Sequence, residues 1–527
     1  AALVQSPLPD LQREAIRSLN SFSLPLAEIT SQVKGLVEHP NPMIRAQILR
    51  TLGEAGQANR EVIELLVRAS KPELPGNALG GAYERKFERF LARKALEQYP
   101  QELQSYLAGF SDIPTQNILW AIQALPPAQR DALFLTYWPQ SGITELDEST
   151  FVSIAGMLNN PQVVAAVKSN LEATAYAKTY VSYALQNQSQ VQSAALSTLL
   201  TTPVRALLKS NAEADQNLAL DAVGRFKIKN AQPEVMGLLN GRVSDKTFTL
   251  ALKALETDSE AGQKVLHSVV KNPDIGFGAR AMALGNLTRA SPAQGEQALV
   301  GWLPTLSSNE KAELAKTLSA SAEGAGLLLN SYGKKQLGLS DFDLPTAERM
   351  VASTKSSPRA QTLLAGVKKR EEEKKRAFHE KLNRYMAIAE KQAGNPAEGK
   401  LLFQTCLLCH QVGTEGQNIA PALDGSASRE NEALLTAILD PDAAVESGYA
   451  VYRVTKKDNS SVEGYLVSKD ERGTTIAFMG GSKVFVEADA IKSQGFLGGR
   501  SFMTKGLIDQ YSDKQVADLL SYIKTLK

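Results

Sequence analysis

Up to about residue 365 the chain is a succession of short helical patterns, and none is long enough to bury its own apolar stripe. "DLQREAIRSL" begins at Asp10, and "NPMIRAQILRTLGEAG" runs from Asn41 to Gly56. "SQVQSAALSTLL" begins at Ser189, "AEADQNLALDAVGRF" at Ala212 and "NPDIGFGARAMALGNLTRAS" at Asn272. Each opens on a turn or capping residue and continues with small and aliphatic residues at helical spacing. Ile44, Ile48 and Leu52 mark one apolar face, and Ala281, Leu284 and Leu287 another. Such faces are satisfied only when neighbouring helices stack, so residues 1–365 are expected to form an α-solenoid scaffold. An irregular helical bundle is the plainer alternative. The repeats are degenerate, and "SKPELPGNALGGAYERKF" (Ser70–Phe87) interrupts them.

Asn-Pro before a helix, then an arginine (Arg45, Arg280), then alanine and leucine, resembles the second helix of a HEAT repeat. Nothing in this region reads as catalytic: it has no Gly-rich phosphate loop and no Ser-His-Asp spacing. His39 precedes a proline and His267 sits on a helical stripe, and both read as structural. Trp120, Trp138 and Trp302 read as core residues.

Composition narrows the function classes. Apolar residues make up 43% and charged residues 22%, ordinary values for a soluble globular chain. A formal net charge of +2 provides no global field for nucleic acid or an anionic membrane. No apolar run reaches the roughly 18 residues a membrane-spanning helix needs. "AALVQSPLPD" shows no signal-peptide pattern, so a processed form or a piece of a longer parent is expected. Residues 366–394, "GVKKREEEKKRAFHEKLNRYMAIAEKQAG", read as a charged connecting helix. Glu371 with Lys375 and Glu372 with Arg376 are expected i,i+4 pairs. Phe378, Leu382, Tyr385, Met386 and Ile388 make its second half amphipathic, so that half is expected to dock.

The function signal lies in "TCLLCHQVG". Cys406 and Cys409 are the only two cysteines, three positions apart, and His410, one of four histidines, follows at once. For randomly placed residues that arrangement has a probability on the order of 10⁻⁵, so it needs a physical cause. A zinc site would need two more ligands, yet His39, His267 and His379 are distant in sequence. A thioredoxin-like pair needs a βαβ setting and a low-pKa thiol, and no parallel-sheet pattern surrounds this one. The third cause is covalent haem c. Two thiols on one turn add to the haem vinyl groups, and the next residue presents its imidazole to the iron.

From Asn395 onward the chain resembles a cytochrome c of the class I kind. That family places a glycine and an aromatic on the first helix, matched by Gly399 and Phe403. They pack against a leucine and an aromatic on the last helix, matched by Leu519 and Tyr522. Ser512 and Gln515 form a capping box there. In "GQNIAPALDG", Pro421 and Leu423 match a turn whose proline carbonyl orients the proximal histidine, with Ala420 in place of the usual glycine. The resemblance implies one haem c, Cys406 and Cys409 as its attachment points, and His410 and Met503 as axial ligands. Met503 lies 93 residues after His410, in "GRSFMTKGLIDQYSDKQ". Thr504 stands where a proline usually follows, and Lys505 offers a competing nitrogen at high pH. Met479 is the only other methionine after the motif.

Between them lies an alternating stretch broken by "KDNS", "KDERG" and "MGGSK", read as about four short antiparallel strands from Tyr449 to Val486 within an insertion at 448–492. With "ILDP" (Ile438–Pro441), "GY" (Gly448, Tyr449) and the late Ser-x-Met loop, the stretch from about 366 to 527, which includes the cytochrome c domain at 395–527, resembles a haem-binding domain of Planctomycetes and Verrucomicrobia. Members often carry HEAT-like repeats upstream, and many carry a quinoprotein sugar-dehydrogenase propeller. The expectation is therefore a mainly α chain, a HEAT-like solenoid followed by a cytochrome c domain with a small antiparallel β insertion. The implied role is electron transfer in a periplasmic or otherwise extracytoplasmic compartment. A dehydrogenase would be the donor, and a downstream cytochrome or oxidase the acceptor. An open-site haem enzyme or ligand sensor is one alternative. A protein-interaction scaffold with haem as a structural element is the other.

Overall fold

The computed structural model describes the chain except residues 1, 23, 73–81, 110–111, 192 and 459, and the side chains of 82–84. Most of the expected interruption of the repeats, and one residue of the "KDNS" turn, lie outside the described residues. Contacts divide the chain into two units, Ala1–Glu256 and Thr257–Lys527.

The first unit is built of short helices from Pro9–Ser18 to Asp245–Ala254. The Pro42–Glu54 helix shows how the sequence specifies them. Asn41 accepts the Met43 N–H at 2.9 Å, and Pro42 occupies the first turn, where its missing N–H costs nothing. Ile44, Ile48 and Leu52 are completely buried, as their spacing predicts. Arg45 is buried with them. It pairs with Glu88 at 2.6 Å and donates to the carbonyls of His39 and Pro40. The paired carboxylate and those carbonyls offset the cost of desolvating the guanidinium. His39 is structural: its Nδ1 accepts the Asn41 N–H at 3.0 Å.

The second unit begins with the same kind of helices. Ala281, Leu284 and Leu287 are buried, and Arg280 donates to the Val270 carbonyl while lying 4.4 Å over the Trp302 ring. Asn272-Pro273 does not open the Arg280 helix as expected, since that helix starts at Phe277 after Gly276. Asn272 closes the preceding Glu260–Lys271 helix instead, because its N–H bonds back to Ser268 and Val269.

The charged segment belongs to one 34-residue helix, Pro358–Lys391, capped by Ser357 and starting eight residues earlier than its charge pattern indicates. Glu371 pairs with Arg370 at 2.8 Å and Lys374 at 3.1 Å rather than with Lys375. Arg370 is drawn inward to the carbonyls of Leu339 and Phe342, which brings its guanidinium alongside Glu371. Leu382, Tyr385 and Ile388 are buried in one cluster with Phe403, Leu435, Leu519 and Leu520. Lys381–Asp509 and Arg384–Asp513 fasten the same end.

A two-residue hairpin, β1 (Gln411–Val412) and β2 (Glu415–Gly416), follows the cysteine pair. The larger sheet is antiparallel, with strands β3 (Ala450–Lys456), β4 (Ser461–Lys469), β5 (Gly473–Ala477), β6 (Lys483–Glu487) and β7 (Ile491–Ser501) in the order β6-β5-β4-β3-β7. Its core is Tyr452, Val454, Ile476 and Val486. The fifth strand, β7, is absent from the sequence reading. It contains three glycines and no clean alternation, and it is held by pairing with β3 across two register shifts.

Candidate haem site

The attachment helix, Pro396–Phe403, is capped by Asn395, which accepts the Ala397 N–H at 3.0 Å. The helix crosses the last helix, Asp513–Ile523, at Gly399. A Cβ there would lie 2.0 Å from the Asp518 carbonyl oxygen and 2.8 Å from the Tyr522 Cβ. Phe403 is fully buried and meets Tyr522 edge to face at 5.1 Å, with Leu519 in the same cluster. Both halves of the Ser512–Gln515 capping box are present. Asp518, which the sequence did not single out, is buried and accepts the Asn395 N–H at 2.5 Å, joining the start of the first helix to the middle of the last. Gly399→Ala is expected to destabilise the domain by about 3 kcal/mol, the upper end for overpacking, because the obstruction is backbone. A denaturation midpoint followed by haem absorbance measures it, and an unchanged midpoint would contradict the close crossing.

Cys406–Leu408 form a single 3-10 turn beyond that helix, and the His410 N–H bonds to the Cys406 carbonyl at 2.9 Å. The chain then doubles back through β1 and β2. Gly416 has φ of +93°, and a Cβ on it would sit 2.2 Å from the His410 carbonyl oxygen, so glycine is required there. The Gln417 N–H bonds to the carbonyls of Leu407 and His410, and the Ala420 N–H to that of Cys409 at 2.9 Å. These ties place Pro421 beside the imidazole. His410 Nδ1 donates to the Pro421 carbonyl at 2.6 Å, because a carbonyl oxygen only accepts. The proton is therefore on Nδ1, and the Nε2 lone pair is free for a metal. Ala420 is fully buried and keeps its backbone bond, so the missing glycine does not disturb the turn.

The electrostatics agree with that geometry. Burial lowers the His410 pKa, against the raising influence of the Pro421 bond and the Glu446 charge, so the ring is neutral at pH 7. Burial pushes the Cys406 thiol up to about 11 and raises Cys409 as well. A redox-active pair of the thioredoxin kind needs the opposite shift. Both cysteines are free thiols. Among the described residues no group of three or more His, Cys, Asp or Glu side chains gathers to hold a metal ion. A four-ligand zinc site therefore has no donor set here. The residues present fit haem c: two unpaired thiols on one turn, next to a neutral imidazole with its outer nitrogen free.

The sheet supplies a wall that the sequence reading missed. Tyr465 of β4 is buried, and burial first, then the nearby Cys409 and Tyr449, raise its hydroxyl to about 12. Its ring meets Tyr449 at 6.4 Å and Phe502 at 5.4 Å, both edge to face. Met503 follows Phe502, is half-buried, and donates its N–H to the Ser501 hydroxyl at 3.1 Å. Met479 is 51% exposed, on a turn (Met479–Gly481) that touches Cys406–Leu408. Lys505 is engaged elsewhere: Asp440 and Asp442 pair with it and hold its pKa up.

Residues 396–483 match the family described as Cytochrome c. The chain carries a cytochrome c domain. This family binds haem c covalently and moves electrons, and the matched stretch contains the cysteine pair, His410 and Pro421 but ends before Met503. No curated protein matches the chain. Among solved structures, "Crystal structure of Kap121p bound to Pho4p" aligns at 14% identity over 69% of this chain and 48% of that one, with a TM-score of 0.33. "Crystal structure of Uso1-2" aligns at 13% identity over 78% and 65%, with a TM-score of 0.16. The chain thus spans about half of the first and under two thirds of the second, and both scores are too low to bear on function. No helix among the described residues is long and apolar enough to cross a membrane.

Proposed function

We propose that this chain is a mono-haem electron carrier in an extracytoplasmic compartment, with residues 395–527 as its haem domain. Residues 1–365 serve as the scaffold and 366–394 as the connecting helix, and the domain is of the Planctomycetes and Verrucomicrobia type. Cys406 and Cys409 hold one haem through two thioether bonds. His410 Nε2 and Met503 Sδ would be the residues that hold its iron. When bound, haem c supplies a one-electron couple between ferrous and ferric iron. The chain's residues set the conditions for that couple. Pro421 fixes the tautomer and plane of His410 and raises its basicity. The Met503 thioether, a neutral soft donor, would favour ferrous iron and would close the site to exogenous ligands. Tyr465, Tyr449 and Phe502 keep water from the Cys409 side. The donor is a dehydrogenase, on a partner or in a longer parent, and the acceptor is a downstream cytochrome or oxidase.

The observation that carries this reading is the 2.6 Å bond from His410 Nδ1 to Pro421, which prepares an imidazole for a metal next to two free thiols. An alkaline pyridine haem spectrum tests it. Expected is the spectrum of a haem with both vinyl groups saturated, at one haem per chain, with reversible one-electron reduction. Haem that extracts into acidified organic solvent, or none at all, would refute it.

A further inference from the structure

The loop that carries Met503 is tied to two carboxylates, Asp440 and Asp442. Asp442 Oδ1 accepts the Ser501 N–H at 2.7 Å, and its other oxygen lies 3.1 Å from Lys505 Nζ. Asp440 Oδ1 approaches the same amine at 2.6 Å. Within that span the Ser501 hydroxyl accepts the Met503 N–H. Both ends of Ser501–Lys505 are therefore tied to one turn, the turn after the Asn431–Leu439 helix.

That turn is itself well determined. The Asp440 N–H closes the helix on Thr436 at 2.9 Å, and Pro441 keeps Asp440 out of the helical region, at φ −134° and ψ 73°. The Ala443 N–H then bonds to the Asp440 carbonyl. The Lys505 charge also sits at the C-terminal end of the helix, where the helix dipole favours a cation. Ser501 is the last residue of β7 paired with β3, so the sheet gives Met503 no ladder support. The proline that usually stiffens such a loop by fixing φ is absent, and the Thr504 in its place is exposed.

We propose that Asp442, with Asp440 and Lys505, is a positioning clamp that holds the Met503 thioether over the haem in place of the missing proline. This rests on the reading of Met503 as the axial ligand. All three side chains remain about a third or more exposed (Asp440 35%, Asp442 33%, Lys505 56%). Solvent screening keeps their share of the domain's stability small, so the clamp acts on the loop and not on the fold. Asp442 contributes most, since it alone grips both ends.

The test uses full-length holoprotein in four forms: wild type, Asp442→Ala, Lys505→Met and Lys505→Arg. Two properties are read. One is the sulfur-to-iron charge-transfer band of the oxidised protein, and the other is carbon monoxide binding by the reduced protein. Wild type is expected to show the band and to resist carbon monoxide. Asp442→Ala and Lys505→Met are expected to lose the band and bind carbon monoxide rapidly, with covalent haem retained. Lys505→Arg, which can still reach both carboxylates, is expected to behave as wild type. If wild type has the band and both disruptive variants keep it, the clamp is overturned and the ligand reading stands. The clamp is also overturned if Lys505→Arg fails as Lys505→Met does, because the ion pair is then not what holds the loop. A wild type without the band overturns the ligand reading and the clamp with it. If Asp442→Ala does not fold, Lys505→Met decides, since it leaves both carboxylates in place.

Discussion

The double variant Cys406→Ala/Cys409→Ala is expected to release all of its haem on denaturation, while the wild type keeps every haem on the chain. The two thiols sit at the start of a 3-10 turn and on the residue that closes it, both as free cysteines, and they are the chain's only two. Neither is in a disulfide, and although Cys406 packs against the domain's core, alanine keeps its Cβ, so the substitutions remove chiefly the attachment chemistry. Each single variant is expected to retain one thioether, giving a pyridine haem spectrum between those of protohaem and haem c. Denaturing gel electrophoresis with haem staining separates the cases. Covalent haem persisting in the double variant would mean that attachment lies elsewhere.

Met503→Ala is expected to convert a closed site into an open one. The reduced variant should bind carbon monoxide quickly, and the oxidised variant should lose the sulfur-to-iron band. Its reduction potential should fall by a sizeable share of the roughly 0.8 V over which axial ligands set haem potentials. Met479→Ala is the control. Met479 sits on the exposed turn against Cys406–Leu408, so it borders the attachment site without following the Phe502–Tyr465 contact that leads to Met503. If Met479→Ala causes these changes and Met503→Ala does not, the ligand assignment is reversed. If the wild type already behaves as an open site, an enzyme or ligand sensor becomes the better reading.

What the sequence made legible is what local chemistry dictates. The CxxCH spacing needs only one turn of chain, and the capping box at Ser512 lies within four residues. The Asn41-Pro42 helix start and the buried stripe behind it are equally local. The contact of Gly399 and Phe403 with the last helix was legible through a resemblance that relates distant positions, and the crossing geometry agrees with it. What stayed hidden depends on partners far apart in sequence. Asp440 and Asp442 lie some 60 residues before the Ser501–Lys505 segment they hold. β7 carries no alternation of its own and is a strand only because β3 offers it hydrogen bonds. Asn272 looks like Asn41, yet it caps what precedes it, because the helix behind it reaches that residue first. Glu371 has several cations within reach, and Arg370 takes it because two carbonyls have already positioned that arginine.

The sheet has one further consequence, through its register. β7 pairs with β3 from Lys456 to Ala450, with two shifts along the way, and leaves the ladder at Ser501, two residues before Met503. Each residue added to or removed from β7 would carry the start of that loop about 3.3 Å along the strand, more than the iron–sulfur bond proposed for Met503 could absorb. The sheet is therefore a ruler for the methionine, and its two ends tolerate change unequally. The β4–β5 turn lies before β7 in the chain and leaves its pairing with β3 intact, so its length is free to drift, whereas the β5–β6 turn is held by its contact with Cys406–Leu408. The bulged stretch between Ile491 and Ser501 is not free, and relatives of this domain should vary in the first place and keep their count in the second.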